Sequence, residues 1–275
     1  MNDAPPPLPI LKSLMDAVAA GEGVVLATIV QEQGSVPRHA GSKMLIYSDG
    51  RTLGSVGGGE MEALVIATAL PLLASAETRL ITYNLVEPGR GDPGVCGGQV
   101  RIYLEPYNPP ATLLILGAGH VGRALAHLGH WLGYRVAVYD DRAELVTAAN
   151  IPNAHVYLSG DIDEALARFP ITPHTYIAAV TRNVLVDRVI LPQLLPTPAP
   201  YIGVIGSRRR WAETVRLLRE DGLDEDGLTR FHSPVGLELN AETPEEIALS
   251  IMAEITMLRR GGDGNRMMVG KTTLA

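Results

Sequence analysis

The chain has 275 residues, a length that accommodates two domains of ordinary size. Hydrophobic residues make up 46% of the chain and charged residues 19%, which is typical of a globular protein in water. The net charge of −7 argues against a nucleic-acid-binding protein, because such proteins need a dense basic surface.

The first part of the chain, residues 1–106, mixes helix and strand. Apolar residues recur at helical spacing from Ile10 to Val18 and end at Gly21, a residue suited to a helix C-cap. The β-branched run at residues 24–30 predicts a strand that is buried on both faces. Further strands are predicted at residues 43–47, 79–85 and 99–104, and a helix at residues 60–73. This pattern predicts a mixed α/β domain.

A proline-rich segment at residues 106–110 follows this domain. Because its three prolines lack backbone N–H groups and block helix, we take residues 107–110 as a stiff linker. In residues 111–275 short apolar strands alternate with helical stretches, which predicts a Rossmann-like doubly wound parallel sheet with right-handed crossovers. Its strands are predicted at residues 113–116, 135–140, 155–158, 175–180 and 201–205.

The C-terminal part begins its last helix with a strong start signal. Thr243 is placed to cap the helix, Pro244 occupies its first turn, and Glu246 completes a capping box. The apolar residues predicted for its buried face are Ile247, Ile251, Ile255 and Leu258. We expect this helix to pack on the parallel sheet.

Cysteine usage and the apolar runs indicate the compartment. A single cysteine, Cys96, excludes an intramolecular disulfide and is typical of a reducing environment. The first residues lack the basic segment and apolar core of a signal peptide, and no apolar run approaches the ~20 residues that span a bilayer. We therefore expect a cytoplasmic protein that does not contact membranes.

A glycine loop opens the first helix of the Rossmann-like domain. Gly117, Gly119 and Gly122, with His120 between them, follow a predicted strand at the spacing of a dinucleotide-binding loop. Asp140 lies at the end of the next strand, where an acidic residue accepts hydrogen bonds from a ribose. NAD(P) is therefore a candidate ligand. No His/Asp or Tyr/Lys pair at recognisable spacing supplies the acid or base of a dehydrogenase.

The remaining histidines and one basic cluster give weaker signals. His127 and His130 are predicted to pack or to face solvent on the first Rossmann helix, and His232 lies in a predicted loop. The cluster at residues 208–210 indicates a solvated helix end in preference to an anion site. Scattered histidines and one cysteine do not predict a metal site built from protein ligands alone.

The N-terminal part contains two glycine-dense loops. Gly57, Gly58 and Gly59 lead into the helix that contains Glu60, so they either cradle a phosphate or another oxyanion or form a tight turn with positive φ. Upstream, Arg38 in the loop at residues 34–42 is a candidate partner for an anion.

The second loop places Cys96 beside Gly97 and Gly98. A thiol flanked by glycines is approachable and reactive, whereas a free cysteine also serves as a small buried apolar residue. Both interpretations stay open.

Together and in this order, the glycine loops resemble the xanthine dehydrogenase accessory family of the XdhC and CoxI type. The resemblance rests on residues 34–41, 54–60, 96–98, 117–122, 201–207, 234–238 and 243–254. These segments extend over nearly the whole chain, and their combination is far more specific than any single glycine loop.

The resemblance implies a chaperone for the molybdenum cofactor, in the form of molybdopterin or its dinucleotide. Such a protein binds the cofactor, protects it while its terminal sulfur ligand is installed, and delivers it to a xanthine dehydrogenase-type hydroxylase. The implied partners are the apo molybdenum hydroxylase and a cysteine desulfurase, with the chain as a homodimer. Gly206 and Ser207 become candidate cofactor contacts, and Cys96 a candidate contact for sulfur or metal. Residues 181–187 lack a histidine that the resemblance leads us to expect.

Three functions therefore compete. The leading one is a cofactor carrier without turnover of its own, with its site in the cleft between the two domains. An NAD(P)-dependent oxidoreductase is the alternative, supported by the loop at residues 117–122 and by Asp140. A nucleotide-sensing module in which both glycine loops bind anions is the third.

Overall fold

The computed structural model describes residues 7–85 and 98–267. The chain divides into two compact units, and the division falls between Pro109 and Pro110. The first unit is built on an antiparallel sheet, and the second on a parallel sheet flanked by helices. These architectures confirm the predicted class, a mixed α/β domain followed by a Rossmann-like doubly wound sheet.

The N-terminal unit contains five strands and three helices in its described part. In chain order they are α1 (Pro7–Ala19), β1 (Val24–Gln33), β2 (Lys43–Tyr47), β3 (Thr52–Gly54), α2 (Gly59–Ala69), α3 (Leu72–Ser75), β4 (Arg79–Asn84) and β5 (Gln99–Tyr107). The strand order in the sheet is β3-β2-β1-β5-β4.

Strand β1 is covered from both sides. Val24 and Leu26 belong to one apolar cluster with Ile10 of α1, whereas Val25 belongs to a second cluster with Met61 of α2. Successive side chains of a strand point to opposite faces, so this arrangement explains the continuous apolar run. The prediction of burial on both faces is confirmed for the first half of β1, while its second half is largely exposed.

Three details of this unit differ from the prediction. Strand β3 was not predicted, and the helix predicted at residues 60–73 is two helices separated at Pro71, which lacks the N–H that a continuous helix needs. Strand β5 extends through Pro106, which pairs with Val25 of β1. Beyond Leu104, the described part of the chain pairs with this strand on one side only, where a proline is tolerated.

The C-terminal unit alternates strand and helix. In chain order its described elements are β6 (Thr112–Leu116), α4 (His120–Trp131), β7 (Arg135–Asp140), a 3₁₀ turn (Ala143–Leu145), β8 (Val156–Ser159), α5 (Ile162–Ala167), β9 (Thr175–Ala179), α6 (Val184–Leu194), β10 (Tyr201–Val204), α7 (Arg208–Glu220), α8 (Glu225–Leu228), β11 (Phe231–His232) and α9 (Pro244–Arg260). The sheet order is β11-β10-β9-β6-β7-β8, and every pairing is parallel.

Helices cover both faces of the parallel sheet. Helices α4 and α9 share one apolar cluster with the sheet, and α5, α6 and α7 share the other. The predicted capping box of α9 is present, with the Thr243 side chain accepting from the Glu246 amide and the Glu246 side chain accepting in return. Ile251 and Ile255 are buried as predicted. Leu258 is exposed, contrary to prediction, because it lies in the last turn beyond the packed part of α9.

The order of the strands creates a switch point at β6. Strand β7 lies on one side of β6 and β9 on the other, because the chain builds outward to β8 and then crosses over to β9. Loops that leave β6 and β9 therefore diverge at the carboxyl edge of the sheet and open a crevice there. The glycine loop that follows β6 lies at this edge.

Candidate functional site

The glycine loop after β6 is shaped by two close backbone approaches. Gly117 has φ of +125°, and a Cβ there would lie 2.5 Å from the carbonyl oxygen of Val180. A Cβ at Gly122 would overlap the carbonyl oxygen of Gly117. At Gly119, by contrast, a Cβ would meet no atom within 4 Å. Packing therefore requires the first and third glycines, and the second leaves open space above the loop.

The N-terminus of α4 faces this open space without a cap. Gly119 is the N-cap residue, and the first turn of the helix has no acidic residue. Within residues 7–85 and 98–267 no side chain accepts from the first amides of the helix. His120, the first residue of the helix, is exposed. The first N–H groups of a helix lack intrahelical partners and carry the positive end of the helix dipole. This N-terminus is chemically suited to an oxyanion such as a phosphate.

Asp140 lies beneath the loop and holds it in place. Its Oδ2 accepts from the amide of Ala118 at 2.8 Å, and Arg142 donates to both oxygens through its amide, Nε and Nη2 at 2.9–3.0 Å. Burial alone would raise the pKa of Asp140, but these hydrogen bonds outweigh burial and lower it to about 2. Four donors fill the acceptor sites of the carboxylate, so a ribose would have to displace one of them.

A small crevice adjoins the loop. Its volume is about 10 Å³, room for at most one water molecule. Arg182, which lines it, donates from Nη1 and Nη2 to the two oxygens of Asp141 at 2.6 and 2.7 Å. The crevice is lined by Gly117, Tyr139, Asp140, Asp141, Thr181, Arg182, Val186 and Ile190.

A buried ion pair anchors the loop after β9. Asp187 is completely buried, and its Oδ2 accepts from Nη2 and Nε of Arg210 at 2.8 and 3.2 Å. The Thr181 hydroxyl donates to the other oxygen, and Arg210 also donates to the Thr181 carbonyl. The network thereby ties the loop after β9 to the start of α7. Sequence reasoning missed it, because a single Asp and Arg 23 positions apart carry no local signal.

Gly206 and Ser207 lie at the start of α7. Ser207 is the N-cap of that helix, and its hydroxyl accepts from the amide of Arg210. Gly206 has φ of +153°, and a Cβ there would approach the Arg210 side chain at 2.9 Å. Arg208 and Arg209 are exposed, as predicted for a solvated helix end, but Arg210 turns inward to Asp187.

A wide groove runs along the other side of α4. It has a volume of about 550 Å³ and lies between α4, the turn at residues 150–153 and the first turns of α9. His120 and His127 line it, and the Nδ1 of His127 lies 3.1 Å from the Oδ1 of Asn153. His127 thus lines a groove on the helix surface that no pattern in the sequence indicated.

His232 lies on a strand and not in the loop that was predicted. It is the last residue of β11, which pairs with β10, and a two-residue strand is too short to leave a periodic signal. Its Nδ1 is 3.9 Å from the Oε1 of Glu254, whose Oε2 accepts from the hydroxyl of Tyr201. Burial and this hydrogen bond raise the pKa of Tyr201.

In the N-terminal unit the triple-glycine loop binds a carboxylate of its own chain. Gly57, Gly58 and Gly59 all have positive φ (+141°, +86° and +59°), which explains the run of glycines. Glu62 Oε1 accepts from the amide of Gly58 at 3.0 Å and from the hydroxyl of Ser55 at 2.6 Å. Burial opposes this ionised state, yet the hydrogen bonds lower the pKa of Glu62. Glu60, the predicted contact, is exposed.

Three sequence motifs of the N-terminal unit meet at one place. A Cβ at Gly98 would overlap the carbonyl oxygen of Ser35, and a Cβ at Gly57 would lie 3.0 Å from Pro37. The loop at residues 34–42 therefore contacts the other two glycine loops, and it carries Arg38, which is half-buried. Cys96 and Gly97 lie outside the described residues.

The predicted site residues thus form two groups. The loop at residues 117–122, Asp140, Gly206 and Ser207 lie at the carboxyl edge of the parallel sheet. Arg38, the triple glycine and Gly98 belong to the N-terminal unit. Sequence reasoning missed the charged partners Glu62, Asp141, Arg142, Arg182, Asp187 and Arg210. For Glu62 a signal existed, since an acid in the first turns of a helix complements a glycine-rich N-terminus.

Two further kinds of feature, metal sites and membrane spans, are absent from the described part of the chain. No cluster of three or more His, Cys, Asp or Glu side chains there is arranged to hold a metal ion. None of the helices within residues 7–85 and 98–267 combines the length and apolar character that a membrane crossing requires.

Both units match models of one protein family. The XdhC Rossmann domain matches residues 113–255, and the XdhC and CoxI family matches residues 17–84. The chain is 34% identical over 245 residues to the uncharacterized protein YqeB of Escherichia coli K12, in an alignment that covers 88% of this chain and 45% of YqeB. The chain therefore spans about half the length of that relative.

Two further relatives match over most of both chains. Molybdenum cofactor insertion chaperone PaoD of E. coli K12 is 26% identical, over 91% of this chain and 88% of PaoD. A probable xanthine dehydrogenase subunit of Bacillus subtilis 168 is also 26% identical, over 90% of this chain and 97% of the relative. The crystal structure of a xanthine dehydrogenase from Bacillus halodurans matches with a TM-score of 0.50 and 24% identity, over 90% of this chain and 95% of that one, and supports the fold alone.

Proposed function

The chain belongs to the XdhC and CoxI family, and from this premise we propose that it is an accessory protein for the molybdenum cofactor. It binds molybdopterin or its dinucleotide form, protects it while the terminal sulfur is installed, and delivers it to a xanthine dehydrogenase-type hydroxylase. Its partners are the apo-hydroxylase and a cysteine desulfurase, and it acts as a homodimer. The relative named as a molybdenum cofactor insertion chaperone, which aligns along most of the chain, supports this role.

The observation that carries the proposal is the uncapped N-terminus of α4. Molybdopterin bears a phosphate and its dinucleotide form a pyrophosphate, and both need several converging N–H donors. The amides of the first turn of α4 supply these donors, and the space above Gly119 is open to a ligand. The residues present therefore fit the phosphate end of the cofactor.

The two glycine loops differ in their capacity for a phosphate. The loop before α2 already holds the Glu62 carboxylate on the amides of Val56 and Gly58, so a phosphate there would meet an anion. At the loop before α4 the Asp140 carboxylate accepts from the Ala118 amide but is paired with Arg142, and within the described part of the chain no side chain accepts from the first amides of the helix. We therefore assign the phosphate end of the cofactor to α4.

In this role the side chains bind and orient the cofactor and do not catalyse a reaction. Asp140 and Arg142 keep the loop amides in position, and the Asp187–Arg210 pair fixes the neighbouring loop. When bound, the cofactor supplies the molybdenum centre that the recipient hydroxylase uses.

The test is retention of the cofactor by the purified protein. The full chain is purified with and without added molybdenum cofactor, and bound pterin and molybdenum are measured. Gly119→Asp provides the informative variant, since aspartate is a good N-cap that introduces a carboxylate at the amides while the backbone at φ −75° accepts any residue. We expect retention to fall by about tenfold or more, because a charged group competes for the same donors.

Gly119→Ala is the matched control and should retain the cofactor, since its Cβ enters open space. Tight binding of NAD(H) without retention of pterin would overturn the proposal.

Cys96 is proposed to contact the terminal sulfur or the metal. Replacement of its thiol by a hydroxyl in Cys96→Ser removes the sulfur nucleophile at little change in size. We expect this variant to bind cofactor and to deliver less of the sulfurated form to the apo-hydroxylase. Delivery at the wild-type level would eliminate this role for Cys96.

An NAD(P)-dependent oxidoreductase is the second candidate. The loop at residues 117–122 at the switch point of a parallel sheet favours it. Asp140 weakens it, because the four acceptor sites that would recognise a ribose are filled by Ala118 and Arg142. Equilibrium binding of NAD(H) and NADP(H) to the cofactor-free protein separates the two functions.

A further inference from the structure

The groove along α4 is a separate cavity from the crevice at the glycine loop. Its lining comes from α4, from the turn at residues 150–153 and from the first turns of α9, and the two cavities share no lining residue. The groove has a volume of about 550 Å³. Sites for small molecules have volumes of about 300–1,000 Å³, so the groove has room for a ligand of two or three fused rings.

The bottom of the groove is apolar. Ala248 and Ile151 are the deepest of its lining residues, with 1% of each exposed, and Ala124 and Leu128 beside them are half-buried. These side chains present C–H groups and no charge. A planar ring that lies on them buries one apolar face, which is favourable in water.

The rim of the groove carries one charge of each sign. Glu245 in the first turn of α9 and Arg123 on α4 are exposed lining residues. Within residues 7–85 and 98–267 neither side chain takes part in an ion pair, whereas Arg142, Arg182 and Arg210 of the same unit are all paired. The rim therefore offers a carboxylate acceptor and a guanidinium donor to the edge of a ligand.

We propose that this groove holds the pterin ring of the molybdenum cofactor. The Glu245 carboxylate accepts from the 2-amino and N3–H groups of the ring, and Arg123 donates to its 4-oxo group. A pterin has an apolar face and an edge on which two N–H donors stand beside a carbonyl. Two adjacent donors match the two oxygens of a carboxylate, and the carbonyl matches a guanidinium. The inference rests on the proposed function, which supplies the ligand.

The position of the groove agrees with this assignment. His120, the first residue of α4, lines the groove, and so does His127, seven residues further along the helix. The groove therefore runs for about 10 Å along α4, because a helix rises about 1.5 Å per residue. A ligand whose phosphate lies at the start of α4 can reach the groove with its ring.

The experiment measures binding of pterin and lumazine to the full chain by equilibrium dialysis with fluorescence detection. Lumazine has a carbonyl in place of the 2-amino group, so it presents an acceptor to Glu245. We expect the wild type to bind pterin about tenfold more tightly than lumazine. In Glu245→Gln this ratio should fall to about twofold or less, because an amide has a single acceptor oxygen. A purely structural role of Glu245 would weaken both ligands equally and leave the ratio unchanged.

Three further variants complete the test. Glu242→Gln is the matched control, since Glu242 is exposed near Glu245 but does not line the groove, and the ratio should stay at the wild-type value. Arg123→Gln should weaken pterin and lumazine alike, because both rings carry the 4-oxo group. Ala124→Leu keeps a good helix former and fills the bottom of the groove, so it should weaken pterin binding about fivefold or more. Thermal unfolding of all four variants checks that each is folded.

A ratio of pterin to lumazine affinity that persists in Glu245→Gln would overturn the inference. So would the absence of pterin binding by the wild type up to the solubility limit of pterin. Guanosine, which shares the edge of pterin, and adenosine, which does not, are measured in parallel. Tighter binding of either nucleoside than of pterin would identify a site for a nucleobase and would also overturn the inference.

Retention of the whole cofactor is measured on the same proteins. Equal retention by the wild type and Glu245→Gln refutes the inference alone. Pterin binding that depends on Glu245, in a protein that does not retain the cofactor, refutes the proposed function alone.

Discussion

Replacement of Asp187 by asparagine tests the network that anchors the loop after β9. The carboxylate is completely buried, whereas its partner Arg210 is 21% exposed. Removal of the negative charge leaves a largely buried guanidinium without a counter-ion and two hydroxyls, those of Thr181 and Thr214, with a weaker acceptor. Removal of one partner of a buried pair costs about 3–5 kcal/mol, and partial rehydration of Arg210 favours the lower end. We therefore expect a loss of about 3 kcal/mol.

The chain offers a selective probe for this measurement. Its two tryptophans, Trp131 and Trp211, both lie in the C-terminal unit. Trp211 is adjacent to Arg210 in sequence and its ring lies 6.1 Å from that of Phe231. Tryptophan fluorescence during urea unfolding of the full chain therefore reports the free energy of the Rossmann-like unit. Asp221→Asn, in an exposed pair, is the control and should cost at most about 1 kcal/mol.

A second substitution decides whether the effect comes from the pair itself. Arg210→Met alone leaves the buried Asp187 carboxylate without a counter-ion. The double variant, Asp187→Asn with Arg210→Met, removes both charges. The double variant should be less destabilised than the sum of the single variants by about 1–3 kcal/mol. Additive losses, or a loss for Asp187→Asn no larger than that of the Asp221→Asn control, would refute the assignment.

Three further predictions follow from single contacts. Gly122→Ala should destabilise the Rossmann-like unit by about 3 kcal/mol or more in the same urea assay, because its Cβ overlaps the backbone of Gly117, which cannot move aside. A variant as stable as the wild type would contradict the close approach of Gly122 to Gly117. Asp140 has a folded pKa of about 2, below its ordinary 3.8, so its ionised form stabilises the unit by roughly 2 kcal/mol above about pH 4, and this contribution disappears as the pH falls toward 2. The difference in unfolding free energy between wild type and Asp140→Asn should therefore shrink between about pH 4 and pH 2. A constant difference would be inconsistent with the lowered pKa. Glu62→Ala should raise the rate of amide hydrogen exchange at residues 55–69, because buried N–H groups lose their acceptor. Glu60→Ala should not raise it. Equal effects of the two substitutions would argue against binding of the loop amides by the Glu62 carboxylate.

Elements with strong local signals were predictable from the sequence. The capping box at Thr243 and Glu246 lies within four residues, so its hydrogen bonds form wherever the helix forms. Strand β7 is found at the residues predicted for it, because a fully buried parallel strand leaves a continuous apolar run. The tight turn at Gly117 also follows from residue type, since positive φ favours glycine.

Elements that depend on a partner far along the chain were not predictable. The strand at Phe231 has two residues and exists because it pairs with β10. The sequence also offered Glu60 as a ligand contact, whereas Glu62 reaches the loop amides. Which of two nearby acids turns inward depends on how the helix packs, and Met61 and Val65 on the buried side fix that rotation.

By itself the sequence determined the class of fold, the positions of the glycine loops and the family resemblance. These properties are carried by residue types and by spacings within one or two turns of chain. The tertiary structure decided which charged side chain each glycine loop binds. Glu62 fills the loop before α2, Asp140 is used to hold the loop before α4, and Arg182 meets Asp141 across 41 positions of sequence. The partner of a charge is set by strand order and loop placement, because electrostatic and hydrogen-bond energies depend on distances that only the folded chain defines.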